Sequence, residues 1–254
     1  MKTNPKTQKH EFALYVPNLT QLVSGKTGGQ NIILDDIYLL HRIMYVLRLG
    51  IEQVLILFDQ KIHVQAKIHD IVRKKAIHCY IEEINQNIVY KPNISFWLPV
   101  LKKDAFETAL YSLSEVGISQ IQLIATKKGQ TLTPKEYERA KKIIIAAAEQ
   151  SKNFAFPDLL PSIDLITGIK QLKKKSLCLF FDPIGILLQE YLRQNNITYN
   201  DSIILAIGSE GDLTQSEKDL LKNAGFIFCA LTPTMLRASS AAALSAGLIR
   251  SLLR

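Results

Sequence analysis

Glycine, serine, glutamate and aspartate follow directly on an apolar run in Ile203-Ile204-Leu205-Ala206-Ile207-Gly208-Ser209-Glu210-Gly211-Asp212. A strand that ends in a tight glycine turn brings bare backbone amides to its tip, where small polar or anionic ligands bind. The run itself, mostly β-branched or leucine, suits a central strand covered on both faces. Thr214-Gln215-Ser216-Glu217 then reads as a capping box that opens a helix. Glycine turns after strands are common and most bind nothing, so the first loop alone is a weak signal. A second one follows: the apolar run from Phe226 to Leu231, the loop Thr232-Pro233-Thr234-Met235-Leu236-Arg237, and a helix of small residues.

Two such loops need elements to hold them. The chain has 254 residues, 47% of them hydrophobic, enough for one large or two modest domains with cores of their own. Between residues 11 and 84 short apolar runs are broken by turn residues, as at Val54–Phe58 and Ala76–Ile81, and this spacing predicts a small β-barrel. The chain turns polar between Gln86 and Asn93, through Lys91-Pro92, which marks a linker and divides the chain into domains 1–88 and 89–254. Beyond it, strands at Ile94–Leu101, Ile121–Ala125, Ser176–Phe181 and Ile203–Ile207 alternate with helices. The helical segments are Asp104–Val116, Pro134–Gln150, Gly185–Gln194 and Gln215–Ala224. That alternation predicts an α/β fold with a mostly parallel sheet under covering helices. Thr133-Pro134-Lys135-Glu136 marks one helix start clearly. Arg250 and Arg254 close the last segment, near a helix C-terminus where cations are favourable.

A formal charge of +8, spread over both halves, suits a polyanionic partner as well as plain solubility. Cys79, Cys178 and Cys229 are scattered through apolar runs and read as reduced, buried thiols of a cytosolic protein. The polar start from Met1 to His10 lacks the apolar centre of a secretory signal. No stretch approaches the roughly 20 apolar residues of a membrane helix. A soluble, cytoplasmic protein without a membrane partner is expected. Phosphate-loop, dinucleotide and zinc-helix patterns are absent, and Ser209 does not sit in a hydrolase elbow. The histidines at 10, 41, 63, 69 and 78 pair with no likely cysteine nucleophile, so neither a metal nor a covalent mechanism is expected. Trp97 reads as core and Lys173-Lys174-Lys175 as a solvated loop.

The two loops resemble the SPOUT class of methyltransferases, most closely the family that methylates N3 of a uridine in bacterial small-subunit ribosomal RNA. That family carries Gly-Pro-Glu-Gly-Gly at the first loop and Leu-Gly-x-Arg-Ile-Leu-Arg-x-Glu-Thr-Ala at the second. This chain keeps Gly208, Glu210, Gly211, Leu231, Leu236, Arg237 and Ala241. It has Ser209 for proline, Asp212 and Thr232 for glycine, Thr234 for arginine, Ser239 for glutamate and Ser240 for threonine. Lys102-Lys103-Asp104, Glu115-Val116-Gly117-Ile118-Ser119, Ala147-Ala148-Glu149-Gln150-Ser151 and the run from His41 to Arg48 look like further family landmarks in order, so the likeness covers nearly the whole chain.

The resemblance implies a PUA-like RNA-binding barrel followed by a methyltransferase domain with a deep trefoil knot near its C-terminus, a homodimer joined through the last helix. It implies S-adenosylmethionine as cofactor, held by Ile207, Gly208, Ser209, Glu210, Gly211, Leu231, Thr232, Met235, Leu236 and Arg237. Its partner would be small-subunit ribosomal RNA or the assembled subunit, contacted by His41, Arg42, Arg48, Lys102 and Lys103. Methylation of uridine N3 requires the imide to lose its proton with the reactants held in line. Arg237 reads either as the catalytic cation beside the uracil oxygens or as a structural tie within its loop. Glu210 reads as orienting the cofactor or as capping a helix. A β-branched Thr232 sits poorly wherever the family's glycine takes positive φ. Asp212 places a carboxylate at the mouth, to repel phosphate or to cap the next helix. The alternatives are a diverged, catalytically impaired RNA-binding relative and a SPOUT enzyme acting on transfer RNA.

Overall fold

Asp59 sets the turn around which the first sheet is organised. Its carboxylate accepts hydrogen bonds from the amides of Lys61 and Ile62 at 2.8 and 2.9 Å, and from the amide and hydroxyl of Thr20 at 2.7 and 2.5 Å. Burial works to raise this carboxyl, but the Thr20, Ile62 and Lys61 hydrogen bonds outweigh it and hold the group below its usual range. The computed structural model describes residues 11–72, 75–173, 175–195 and 202–252. Met1 to His10, Lys174 and Arg254, all named above, lie outside them. The chain divides into two compact units, Met1–Ile88 and Val89–Arg254.

The first unit holds β1 (Phe12–Tyr15), α1 (Leu19–Leu22), β2 (Asn31–Leu34), α2 (Ile37–His41), a π-helical turn at Arg42–Val46, β3 (Val54–Phe58), β4 (Ile62–Val72) and β5 (Ala76–Gln86). Its sheet runs β1-β3-β4-β5-β2, antiparallel except for the β1/β3 pair. The core collects alternate residues of β4 (Ile62, Val64, Ala66, Ile68) and of β5 (Ile77, Cys79, Ile81), as a period of two requires. The sheet ends at β1 and β2, each four residues long, and no pairing joins these edges among the described residues. The closed barrel that the strand spacing predicts is therefore not found there.

The second unit comprises β6 (Asn93–Pro99), α3 (Lys103–Glu115), β7 (Gln120–Ala125), α4 (Pro134–Ser151), β8 (Asp158–Asp164), α5 (Leu165–Lys170), β9 (Leu177–Leu187), α6 (Leu188–Gln194), β10 (Ser202–Ile207), α7 (Gln215–Asn223), β11 (Ile227–Ala230) and α8 (Ala238–Leu252). Its six strands are all parallel, in the order β11-β9-β10-β6-β7-β8. Strand β10 serves two cores. Ile203, Leu205 and Ile207 pack with residues of α3, α4 and α8, while Ile204 and Ala206 pack with Trp97, Leu221 and Phe226 on the other face. Helices thus cover both faces of a parallel sheet, as the alternation predicts. Trp97 is core, its ring centroid 5.2 Å from that of Phe226. No helix among the described residues is long and apolar enough to cross a membrane.

Both threonine capping boxes form, at Thr133/Glu136 and Thr214/Glu217. The helix expected from Gly185 begins only at Leu188. Residues 185–187 belong to β9 instead, because Ile186 and Leu187 pair with Cys229 and Ala230 of β11, and a Cβ on Gly185 would run into the Phe228 carbonyl. Helix α8 buries Ala242, Ser245, Ala246 and Ile249, spaced along one stripe.

Arg250 does more than complement the α8 dipole. Its guanidinium donates to the carbonyls of Pro92 at 2.9 Å and Gly117 at 2.5 Å, and lies 5.9 Å from the Tyr90 ring centroid. Burial pulls its pKa down, against the Tyr90 interaction. The helix is thereby tied to the chain that enters β6. Arg250→Ala should cost about 2–4 kcal/mol of unfolding free energy, since it leaves two carbonyls without their charged donor. Urea unfolding followed by circular dichroism measures this, and a loss under about 0.5 kcal/mol would show that α8 does not depend on the anchor.

Candidate functional site

A cavity of about 840 Å³ opens beyond the carboxyl ends of the strands of the second sheet, where open parallel sheets bind ligands. Four segments line it: Lys102–Ala105 with Thr108, Phe181–Pro183, the first loop from Ile207 to Asp212, and the second loop with the start of α8. The first, third and fourth follow β6, β10 and β11, and Phe181–Pro183 lies within β9 where its pairing with β10 ends; the four strands are neighbours in the order β11-β9-β10-β6. Distant parts of the sequence meet because adjacent parallel strands point their ends the same way.

The cavity brings together Ile207, Gly208, Ser209, Glu210, Leu231, Thr232, Met235, Leu236 and Arg237, together with Lys102 and Lys103. Gly211 is not on the lining; its carbonyl accepts a hydrogen bond from Lys128 Nζ at 2.7 Å. His41, Arg42 and Arg48 belong to the first unit, on α2 and the turn that follows it. Ser209 is 8% exposed, and its hydroxyl has no hydrogen-bond partner among the described residues. Burying a hydroxyl without a partner costs about 1–3 kcal/mol, so this oxygen is a ready contact for a polar ligand. Cys229 also lines the cavity, but burial pushes its thiol up to about 11, far from thiolate chemistry. Among the described residues no group of three His, Cys, Asp or Glu side chains is placed to hold a metal.

The first loop is fixed by charged contacts that the sequence did not announce. Glu210 Oε1 accepts from the Lys102 amide at 2.9 Å, so the carboxylate caps α3 rather than the helix that follows it. Asp212 takes φ +58. Its amide donates to the Ser209 carbonyl at 2.9 Å, and its Oδ1 accepts from the Leu213 amide at 2.7 Å. Gly208 makes room for this turn: a Cβ there would lie 2.9 Å from Asp212 Oδ1. Lys218 bridges Asp212 and the buried Asp182, at 2.7 Å to each. Burial works to raise Asp182, yet the Lys218 and Ile184 hydrogen bonds and the Lys218 and Lys222 charges bring it below its usual range. Burial likewise lowers Lys218, and the two aspartates more than restore it, to a value above the ordinary lysine one. From the far side, Glu217 accepts from the Lys127 amide at 2.8 Å. Asp182 was findable as the first polar residue after the apolar run Leu177–Phe181; nothing in the sequence pairs it with Lys218.

The second loop is looser. Thr232 does not take positive φ, and its hydroxyl donates to the Thr234 carbonyl at 2.8 Å, so the threonine is accommodated without backbone strain. Arg237 is exposed on the cavity lining, and its guanidinium makes no hydrogen bond or ion pair among the described residues. The structural-tie reading of this arginine thus has no partner to point to. An orphaned hydroxyl and the exposed Arg237 guanidinium equip the cavity for a polar ligand with an anionic partner.

Lys218→Met should destabilise the fold by about 3 kcal/mol near neutral pH, because it leaves Asp182 charged and buried without its counterion. The lowered Asp182 pKa contributes stability that is present above the ordinary carboxylate range and lost as pH falls through its folded value. The raised Lys218 pKa contributes stability that is full below the ordinary lysine value and lost only as pH rises through the folded one. The wild-type advantage should therefore be level between about pH 5 and 9 and shrink below about pH 4. Urea unfolding across that range checks it, and an advantage unchanged at acid pH would remove the ion pair as its source.

Known proteins converge on this architecture. A family model described as an RNA methyltransferase domain matches residues 90–250. A ribosomal RNA small subunit methyltransferase E of Rickettsia conorii is 27% identical over 216 residues, covering 84% of this chain and 86% of the relative. The protein of that name from Mesomycoplasma hyopneumoniae is 29% identical over 168 residues, covering 64% and 71%. Among solved structures, a ribosomal RNA small subunit methyltransferase E from Neisseria gonorrhoeae, bound to S-adenosyl methionine, superposes with a TM-score of 0.83 at 21% identity, over 96% of this chain and 98% of that one. The family match takes in every segment that lines the cavity, and the chain belongs to the RNA methyltransferase domain family.

Proposed function

We propose that the chain is an S-adenosylmethionine-dependent methyltransferase that modifies N3 of a uridine in small-subunit ribosomal RNA. The observation that carries this reading is the cavity at the tips of neighbouring parallel strands, with the buried Ser209 hydroxyl left unpartnered on its wall. The names of the curated relatives and the ligand of the Neisseria structure support it. The residues present fit that cofactor. The cavity volume of about 840 Å³ lies inside the range of roughly 300–1,000 Å³ that small-molecule sites occupy, and amide-rich loops suit an adenosine edge.

When bound, S-adenosylmethionine supplies an electrophilic methyl group on a sulfonium. Ser209 offers its hydroxyl to the ligand, and the contacts of Glu210 and Lys218 hold the loop in place for it. Uridine N3 loses its proton to solvent, and the negative charge spreads over the uracil oxygens. Arg237 is the cation that stabilises that charge. Lys102 and Lys103, on the lining at the start of α3, contact RNA phosphates. Residues 1–88 serve as a PUA-like RNA-binding domain and 89–254 as the methyl-transfer domain of a cytoplasmic protein. The path from β10 past β9 to β11, with α8 returning against α3 and β10, supports a knotted C-terminus. Exposed Leu244 and Leu252 on α8 support a homodimer joined there.

Calorimetric titration with S-adenosylmethionine, followed by methyl transfer to small-subunit particles and mapping of the modified nucleotide, tests this reading. Binding and modification at uridine N3 are expected. A folded chain that binds no cofactor would instead be an RNA-binding relative. Arg237→Ala should slow methyl transfer by about 100-fold while cofactor affinity changes less than about threefold. Full activity in that variant would remove Arg237 from the chemistry.

A further inference from the structure

The first unit carries an exposed aromatic face that no part of its core explains. Helix α2 and the π-helical turn dock through Leu39, Leu40 and Ile43, which are buried. Their other side presents Ile37 at 72%, Tyr38 at 79%, Tyr45 at 48% and Val46 at 62% exposure. So many large apolar side chains on about three turns of helix are costly to leave in water and mark a contact surface. The wider turn, closed by the Leu47 amide on the Arg42 carbonyl at 2.9 Å, keeps Tyr45 beside His41, with ring centroids 5.2 Å apart and planes at 38°. Tyr38, His41 and Tyr45 follow at spacings of three and four residues, so they share a side of the helix.

Charge decides between occupants. His41, Arg42 and Arg48 lie on this same segment, Arg48 exposed at its end with φ +54. The acidic residues nearby, Asp35 and Asp36, precede the helix, and Asp36 accepts from the Leu39 amide at 2.8 Å as its cap. A two-fold contact with a second copy would lay these basic groups against themselves. Flat rings flanked by cations suit unpaired nucleotides, whose bases stack while their phosphates meet the charges.

We infer that Tyr38, His41 and Tyr45 form a stacking platform for unpaired bases of the RNA substrate, with Arg48 on the adjoining phosphate. The inference rests on the reading that this chain acts on RNA, and it adds the form in which that RNA is held: single-stranded at this face, through base stacking rather than charge alone.

Fluorescence anisotropy of the full chain tests it, with a labelled single-stranded RNA of about 12 nucleotides and the same strand paired to its complement. Tyr38→Ala and Tyr45→Ala should each weaken single-strand binding by roughly tenfold and leave duplex binding within about twofold. Tyr38→Phe and Tyr45→Phe keep the ring and should bind as the wild type does. Arg48→Ala should weaken both probes and lower the slope of log affinity against log salt by about one. The platform is overturned if the double alanine variant, folded by circular dichroism, binds the single strand like wild type or loses both probes equally. A shift from dimer to monomer in those variants, seen by sedimentation, would also overturn it by making the face a protein contact. A wild-type chain that binds neither RNA would sink the RNA reading itself, an outcome distinct from the others.

Discussion

A strand whose side chains are buried on both faces has only its end to offer a ligand, and that constraint organises the second unit. Ile203, Leu205 and Ile207 commit β10 to one core, Ile204 and Ala206 to the other. Helices must then cover both faces, which requires parallel neighbours with long crossovers. Parallel neighbours direct their carboxyl ends alike, so whatever follows β6, β9, β10 and β11 collects at one edge of the sheet. The cavity is a consequence of this geometry. Only the composition of the four segments that line it remained for function to set.

The first loop illustrates how a costly backbone conformation is sustained. A non-glycine residue in the left-handed region carries a penalty of about 1–2 kcal/mol, and Asp212 sits there at φ +58. Aspartate is among the residues that tolerate the region, because a short polar side chain bonds locally, here to the Leu213 amide. The Lys218 bridge then couples the turn to Asp182 on the neighbouring strand. Asp212 is itself mostly exposed, so its Lys218 contact contributes only up to about 1 kcal/mol, and it offsets the strain together with the Leu213 and Ser209 hydrogen bonds.

Features written in short stretches of sequence were legible. The doubly buried run at β10, the capping boxes at Thr133 and Thr214, and the loops after β10 and β11 announce themselves through pattern and local chemistry. What depended on pairing across the chain did not. β8 is an edge strand containing Pro161, with little regular burial; the Gln122 side chain holds it by donating to the Pro161 carbonyl at 2.6 Å. No periodicity reveals such a strand. The local pattern at residues 185–187 suits a helix, whereas their extension comes from pairing with β11, a tertiary fact. Glu210 offered two local readings, and its actual partner, the Lys102 amide, is 108 positions away. The barrel spacing found the strands of the first unit but not how far their ends would close.

The two functional surfaces place opposite demands on their residues. In the cavity, the Ser209 hydroxyl, unpartnered among the described residues, carries a desolvation cost that a polar ligand would offset, so a site of that kind depends on backbone placement and on single polar atoms. On α2 and the turn that follows it, the exposed rings of Tyr38 and Tyr45 would, as a stacking platform, bind by area rather than by hydrogen-bond pattern. A cofactor common to many enzymes calls for the first kind of site. An RNA whose bases must be held out of a helix calls for the second. A substitution in these loops need not strain the backbone, and Thr232 avoids positive φ. Substitutions that remove an aromatic ring from the helix have no backbone to fall back on.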